Sequence, residues 1–340
     1  MTTTLSLEQR VLALCEAMAP TPVVRLADDQ VDLFAKLEFN NLGGSSKDRS
    51  ALWILRQAIE RGEVTPRTTI IESSSGNFAI AMASYCAVLG LSFVPVIDAN
   101  TNRTTVEYLR ALTPRVERVT EPDGSGGHLR ARLRRVRALR ERLDEVYWPN
   151  QYTNRDGAVA HYRLTGGELC ERFDRLDYMF VGVGTGGTIT GLSLRLKETF
   201  PGVRLVAVDS AGSVIFGGPS APRHIPGIGS SIVPPLLEDA LIDDLVIVPE
   251  RAAVAACHDL WRGHGIFAGG STGSVYAAIR RYFNKHSEHS GHRPTVAFVC
   301  ADRGTAYADT IYNPRWVAET FPTGAEPLAH ATAGTGPGRP

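Results

Sequence analysis

With 340 residues, 43% of them hydrophobic, the chain is long enough for two domains with a substantial core. Lys and Arg number 36 and Asp and Glu 36, so the basic excess expected of nucleic-acid or anionic-membrane binders is missing and a small-molecule partner is indicated. Five scattered cysteines (15, 86, 170, 257 and 300), with no C-x-x-C pair, speak against a disulfide framework or zinc ribbon and fit a reducing cytoplasm.

In chain order, "MTTTLSLEQR" lacks the basic and apolar regions of a signal peptide. "LFAKLEF" (33–39) reads as a buried strand, and the loop "NNLGGSSKDRS" (40–50) leads into the helical pattern "RSALWILRQAIERG". "TTIIES" (68–73) is a second strand, followed by the helix "NFAIAMASYCAVLG"; "SFVPVID" (92–98) is a third, followed by "RTTVEYLRAL". Apolar runs such as "LGLSFVPVI" are too short to span a bilayer. In "HLRARLRRVRALRERL" the residues Leu129, Leu133, Val136, Leu139 and Leu143 form one apolar stripe. Its seven arginines then read as a solvated helix face rather than a nucleic-acid surface.

"YMFVGVG" (178–184), "VRLVAVD" (203–209), "DLVIVP" (244–249) and "PTVAFVCAD" (294–302) complete the strands, with the helix "RAAVAACHDLWRGHG" between the last two. Gly62, Gly90 and Gly265 fall where helices should end. His286, His289 and His292 sit in a polar connection and read as a surface turn, so no metal site is expected. Residues 321–340, rich in Gly, Pro and Ala without periodicity, read as a disordered tail. Alternating strands and helices make the fold α/β.

Three loops carry chemistry. "GVGTGGT" (182–188) runs from a strand into a helix, so its backbone N–H groups and the helix dipole suit a phosphate. It also matches G-x-G-x-x-G through Gly182, Gly184 and Gly187, with Asp209 at the end of the next strand, so an NAD(P)-dependent oxidoreductase stands level with a phosphate-only reading. "ESSSGNFA" (72–79) presents donors suited to a carboxylate, and "GGSTGS" (269–274) is a third polar turn opening a helix. No His or Tyr-Lys constellation for hydride transfer accompanies them. Several anion-accepting loops and one loop-borne lysine favour a phosphorylated cofactor with an amino-acid carboxylate. Lys47 is not part of a P-loop, since no glycine precedes it directly. An amine that forms an imine must instead sit in a desolvated pocket, where its pKa falls from about 10.4 towards neutrality.

The segments "PTPVVRL", "FAKLEFNNLGGSSKDRSA", "ESSSGN", "NQYTN", "AHYRLTGGEL", "VGVGTGGTITG", "IPGIGSS" and "GGSTGS", in this order over roughly residues 10–312, resemble fold-type II pyridoxal-phosphate enzymes of the cysteine synthase and cystathionine β-synthase group. The resemblance implies two α/β domains with twisted open sheets flanked by helices and the cofactor in the cleft between them. Residues 1–39 and 151–320 would form the larger domain, and 40–150 a smaller mobile one. It implies that Lys47 bonds the cofactor aldehyde and that Gly184, Thr185, Gly186, Gly187 and Thr188 hold its phosphate. Asn77 would meet the ring oxygen and Ser271 the pyridine nitrogen. Ser74, Ser75, Gly76 and Gln151 would grip the substrate carboxylate, and a homodimer follows from the same likeness.

A hydroxyl facing the ring nitrogen makes the cofactor a weak electron sink. That favours loss of a β-leaving group as the α-proton departs to Lys47, then addition of a nucleophile to the aminoacrylate. "VIDANTN", "YWPNQY", "DSAGSVIFG", "RHIPGIGSS" and "CADRGTAYADTIYNPRW" depart from ordinary cysteine synthases, as does Phe78 in place of a threonine. They resemble the synthases that join O-phospho-L-serine to L-glutamate on the way to 2,3-diaminopropionate in siderophore and peptide-antibiotic pathways. Cysteine synthesis remains the alternative. Tyr152 is read evenly as a substrate contact or packing aromatic, and Arg223, beside His224, as an anion contact or structural loop arginine. Asp302 and Arg303 follow a strand C-terminus, where α/β sites form.

Overall fold

In the computed structural model, which describes residues 5–122, 128–285 and 293–322, the β-branched and aromatic runs form buried strands and the 3.6-period segments cover them. Helix α1 (Leu7–Glu16) precedes β1 (Val23–Leu26) and β2 (Asp32–Leu37). Then follow α2 (Lys47–Glu60), β3 (Thr69–Ser73), α3 (Asn77–Leu89), β4 (Ser92–Asp98), α4 (Arg103–Leu112), β5 (Glu117–Val119), α5 (Leu129–Arg140) and β6 (Val146–Tyr147). Helices α6 (Arg155–Ala160) and α7 (Gly166–Arg172) are joined by a π-helical turn over His161–Thr165. The chain continues through β7 (Tyr178–Gly182), α8 (Gly187–Thr199), β8 (Arg204–Ser210), β9 (Asp244–Val248), α9 (Glu250–His264), α10 (Gly270–Lys285), β10 (Thr295–Cys300) and α11 (Pro314–Thr320). The expected turn at His286, His289 and His292 and nearly all of the expected tail lie outside the described residues.

Two sheets result. One has the order β1-β2-β10-β7-β8-β9, parallel except for β1; the other, β5-β4-β3-β6, is wholly parallel. The first two strands therefore sit beside the last one. Helix α1 goes elsewhere: Leu7 and Val11 pack into the core formed by α2, α3 and the four-stranded sheet. In the six-stranded sheet, Leu33, Phe180, Val206 and Phe298 are inaccessible to solvent. Each such side chain contributes about 1.5–3 kcal/mol through its burial.

Parallel strands place the loops after their C-terminal ends along one edge, where α/β proteins hold ligands. The neighbouring strands β2, β10 and β7 are followed there by residues 38–47, 301–303 and 183–186. The loop after β3 supplies residues 74–76 from the other sheet.

Candidate active site

The Lys47 loop folds around a carboxylate. Asp48 accepts from the backbone N–H groups of Gly43 (2.7 Å) and Ser45 (3.0 Å) and from the Tyr85 hydroxyl (3.1 Å). The Ser46 amide donates to Ala301 O at 2.7 Å, stitching the loop to the end of β10. Lys47 is thereby held as the first residue of α2. Two residues on, the buried Arg49 donates to Glu38 at 2.9 Å and to Glu168 at 2.5 Å, while Lys36 pairs with Glu168 from β2. This ionic cluster ties the start of α2 to both β2 and α7. The Lys47 amine makes no hydrogen bond or ion pair among the described residues, and burial pushes its pKa down, opposed by the negative charge of Asp302. It is an amine held ready for an incoming electrophile.

A cleft of about 470 Å³ opens beside it, lined by Lys47, Gly184, Thr185, Gly186, Thr188 and Ser271, among others. Helix α8 starts from Gly186 at φ +88° with no side-chain cap, so its first-turn N–H groups remain for an outside acceptor. A Cβ at Gly186 would lie 3.1 Å from Leu237, so the turn is both left-handed and packed. The Thr188 hydroxyl is 3.2 Å from His161 Nε2, and His161 Nδ1 is 3.0 Å from the Thr165 hydroxyl. Burial, with the positive charges of Lys47 and Arg49, holds this imidazole neutral. Ser271 is the second residue of α10 and 8% exposed. A lysine amine, an uncapped glycine-rich helix start and a serine hydroxyl around one cleft fit a phosphorylated aldehyde cofactor.

Around the loop after β3, Ser74 Oγ accepts from the Ala79 amide (3.2 Å), and Ser75 Oγ donates to Asp98 at 2.8 Å. Gly76 precedes α3 without a side-chain cap. Gln151 donates to Ser73 O at 3.3 Å. Asn77, the first residue of α3, donates its amide N–H to Asp302 at 2.7 Å. Phe78 is 2% exposed in the core beneath, so it offers no donor where cysteine synthases have a hydroxyl. Burial raises the Tyr152 pKa, with Arg132 and Arg223 among the charges it senses. Lys47, Gly184, Thr185, Gly186, Thr188 and Ser271 thus share one cleft, Asn77 is joined to Asp302 next to the lining residue Ala301, and Ser74, Ser75, Gly76 and Gln151 gather at the end of β3, while two residues turn elsewhere. Arg223 donates to Gly212 O (2.6 Å), Ser230 O (3.3 Å) and Ser231 Oγ (3.2 Å), which braces its own loop. His224 turns to Glu250 at 3.1 Å.

The structure corrects the expectation of a solvated face at Arg132. This side chain is 12% exposed, lies 3.3 Å from Asp98 and donates to Ser75. The signal was present: 132 falls three residues after Leu129 and four before Val136, on the apolar stripe itself. Asp209, the residue of the dinucleotide reading, is 1% exposed and caps the Ser210 amide at 2.8 Å; burial raises its pKa to about 6. Arg303 packs over Phe39 at 5.0 Å and bonds Asn40, serving the loop rather than the cleft.

A family model described as pyridoxal-phosphate dependent enzyme matches residues 14–301. The N-(2-amino-2-carboxyethyl)-L-glutamate synthase of Ralstonia nicotianae is 40% identical over 312 residues, covering 90% of this chain and 91% of that protein. The protein of that name from Cupriavidus metallidurans is 41% identical over 315 residues, with coverage of 90% and 91%. Among solved structures, the O-acetylserine dependent cystathionine beta-synthase from Helicobacter pylori superposes with a TM-score of 0.79 at 26% identity, covering 91% of this chain and 99% of that one. O-ureido-L-serine synthase gives 0.79 at 30% identity, covering 88% and 95%.

Proposed function

The chain belongs to the pyridoxal-phosphate dependent enzymes, and from that premise we propose that it makes N-(2-amino-2-carboxyethyl)-L-glutamate and phosphate from O-phospho-L-serine and L-glutamate by β-replacement. The observation that carries this reading is the 40% identity to synthases of that name along 90% of the chain, a span that includes every loop around the cleft. The family match also sets aside the NAD(P) reading of the glycine loop.

When bound, pyridoxal phosphate supplies the electron sink that makes the α-proton of an amino acid labile. Lys47 Nζ, uncharged more readily because it is desolvated, takes that proton and is the only amine in the cleft lining among the described residues. Gly184, Thr185, Gly186, Gly187 and Thr188, at the uncapped start of α8, would hold the cofactor phosphate. Ser271 would serve the ring nitrogen and Asn77 the ring oxygen. Ser74, Ser75, Gly76 and Gln151 bind the substrate carboxylate at the start of α3. Arg132, with Tyr152, meets the second anionic group, the leaving phosphate or a glutamate carboxylate. Arg223 shapes the loop opposite them.

The two sheets support a larger unit of residues 1–39 and 151–320 and a smaller one of 40–150 that closes over substrate, with α1 resting on the smaller. We also read the protein as a cytoplasmic homodimer serving 2,3-diaminopropionate formation for a siderophore or peptide antibiotic. No helix among the described residues is long and apolar enough to cross a membrane. Light scattering of the purified protein tests the dimer.

The deciding experiment incubates the enzyme with phosphoserine and glutamate, and separately with O-acetylserine and sulfide, and identifies products by mass spectrometry. The glutamate adduct with release of phosphate is expected. Cysteine with no adduct would replace this reading by a cysteine synthase.

A further inference from the structure

We propose that Asp302 is a positioning residue. Its carboxyl sets the orientation of the Asn77 carboxamide and thereby joins the start of α3 to the end of β10 across the cleft. The inference rests on the reading of Asn77 as a contact to the cofactor ring.

Asp302 is 3% exposed, and its Oδ2 accepts from Asn77 Nδ2 at 2.7 Å and from the Tyr307 hydroxyl at 2.5 Å. A carboxamide has one donor edge and one acceptor edge of nearly the same shape, so sterics alone leave its flip undecided. An ionised carboxylate accepts only. It therefore turns the NH2 edge of Asn77 inward and leaves that group's second N–H to donate elsewhere. Tyr307, donating to the same oxygen, holds the carboxyl in place.

The surroundings are shaped for this carboxyl. Ser45 bridges to residue 302, and the Gly269 amide donates to Asp302 O at 3.1 Å. A Cβ at Gly269 would overlap Asp302 Oδ1 and the Tyr307 ring, so only glycine there admits the side chain. Oδ1 is buried with no hydrogen-bond partner among the described residues. Burial raises the acid's pKa, opposed by the Tyr307 and Asn77 hydrogen bonds and by the Lys47 charge. Lys47 is the positive charge that acts on it. The loops carrying Lys47, Asn77 and Ser271 thus all meet at residue 302.

The test uses Asp302→Ala, Asp302→Asn, Asn77→Ala and the double variant Asn77→Ala/Asp302→Ala. Cofactor dissociation constants come from titrating each apoenzyme with pyridoxal phosphate, and the visible absorption band is followed against pH. Asp302→Ala should weaken cofactor binding by about 10- to 100-fold, the range for losing a charge-assisted hydrogen bond. In the Asn77→Ala background the same change should add less than about 2-fold, because its target is gone. Asp302→Asn, whose carbonyl can accept both donors, should stay within about 3-fold of wild type and shift the pH profile of the band through loss of the charge. Effects that multiply independently in the double variant overturn the proposal, as does Asp302→Asn binding as poorly as Asp302→Ala, or Asp302→Ala binding like wild type. Failure of the wild-type chain to bind pyridoxal phosphate overturns instead the functional reading beneath it.

Discussion

Arg132 Nη1 donates to Ser75 Oγ at 2.6 Å, so a guanidinium from α5 stands directly behind the loop that ends β3. Asp98, which accepts from that serine, lies 3.3 Å from the same arginine, so the three side chains form one charged corner. An arginine enclosed beside a negative partner keeps its orientation without being neutralised, and its remaining donors can meet an anion.

Arg132→Ala should therefore lower kcat/KM for phosphoserine by about 10- to 100-fold, the loss of one charge-assisted contact. Arg132→Lys should recover only part, because a point charge does not reproduce a planar fork. Cofactor binding should stay near wild type in both. Steady-state kinetics with an apoenzyme titration checks all three expectations.

Lys47→Ala should remove the yellow colour of a lysine-linked cofactor and depress turnover by at least about 10²- to 10⁴-fold, the usual contribution of a positioned general base. Borohydride reduction of the wild-type holoenzyme, followed by peptide mapping, should place the pyridoxyl group on Lys47. Label on another lysine would refute the assignment.

Gly186→Ala meets two obstacles together. Its φ of +88° is strained for any L-residue, and the new methyl would press on Leu237 and Leu236. A stability loss of about 1–2 kcal/mol is expected, with weaker cofactor binding because the start of α8 must shift. Thermal unfolding and the titration of apoenzyme read the two effects separately. Weakened stability with unchanged cofactor affinity would detach this turn from the phosphate.

The long strands were legible because they are buried on both faces. "SFVPVID" coincides with β4, and the run 178–184 contains β7. The two-residue β6 and three-residue β5 carry too little pattern to be seen, and they form only by pairing with β3 and β4. Helices α6 and α7 were equally quiet, since Gly157, Gly166 and Gly167 interrupt the periodicity, the first two where the chain packs closely against α8. Chemistry carried by backbone turns was readable from glycine and serine spacing. Arg132 was legible only in part: its place on the apolar stripe signalled burial, but its partner Ser75 is 57 residues away and only the fold joins them.

Glu72 offers a prediction about pH. It lies at the end of β3, fully buried, where its carboxyl accepts from the Ser73 amide (2.8 Å) and weakly from Trp148 (3.4 Å), and burial raises its pKa from 4.5 to about 8. The fold thus prefers the neutral acid and binds one more proton than the unfolded chain between those values. Stability is full below about pH 4.5, falls as pH rises through the window and levels off above 8, with a slope of at most about 1.4 kcal/mol per unit. Glu72→Gln, neutral throughout, should match wild type near pH 5 and exceed it increasingly towards pH 8 in thermal midpoint. The same charge forms just behind Ser73, Ser74 and Ser75, so ionisation should also repel the substrate carboxylate. KM for phosphoserine should climb above pH 8 in wild type and stay flatter in the variant. Parallel pH profiles for the two proteins would show that Glu72 does not titrate in this range.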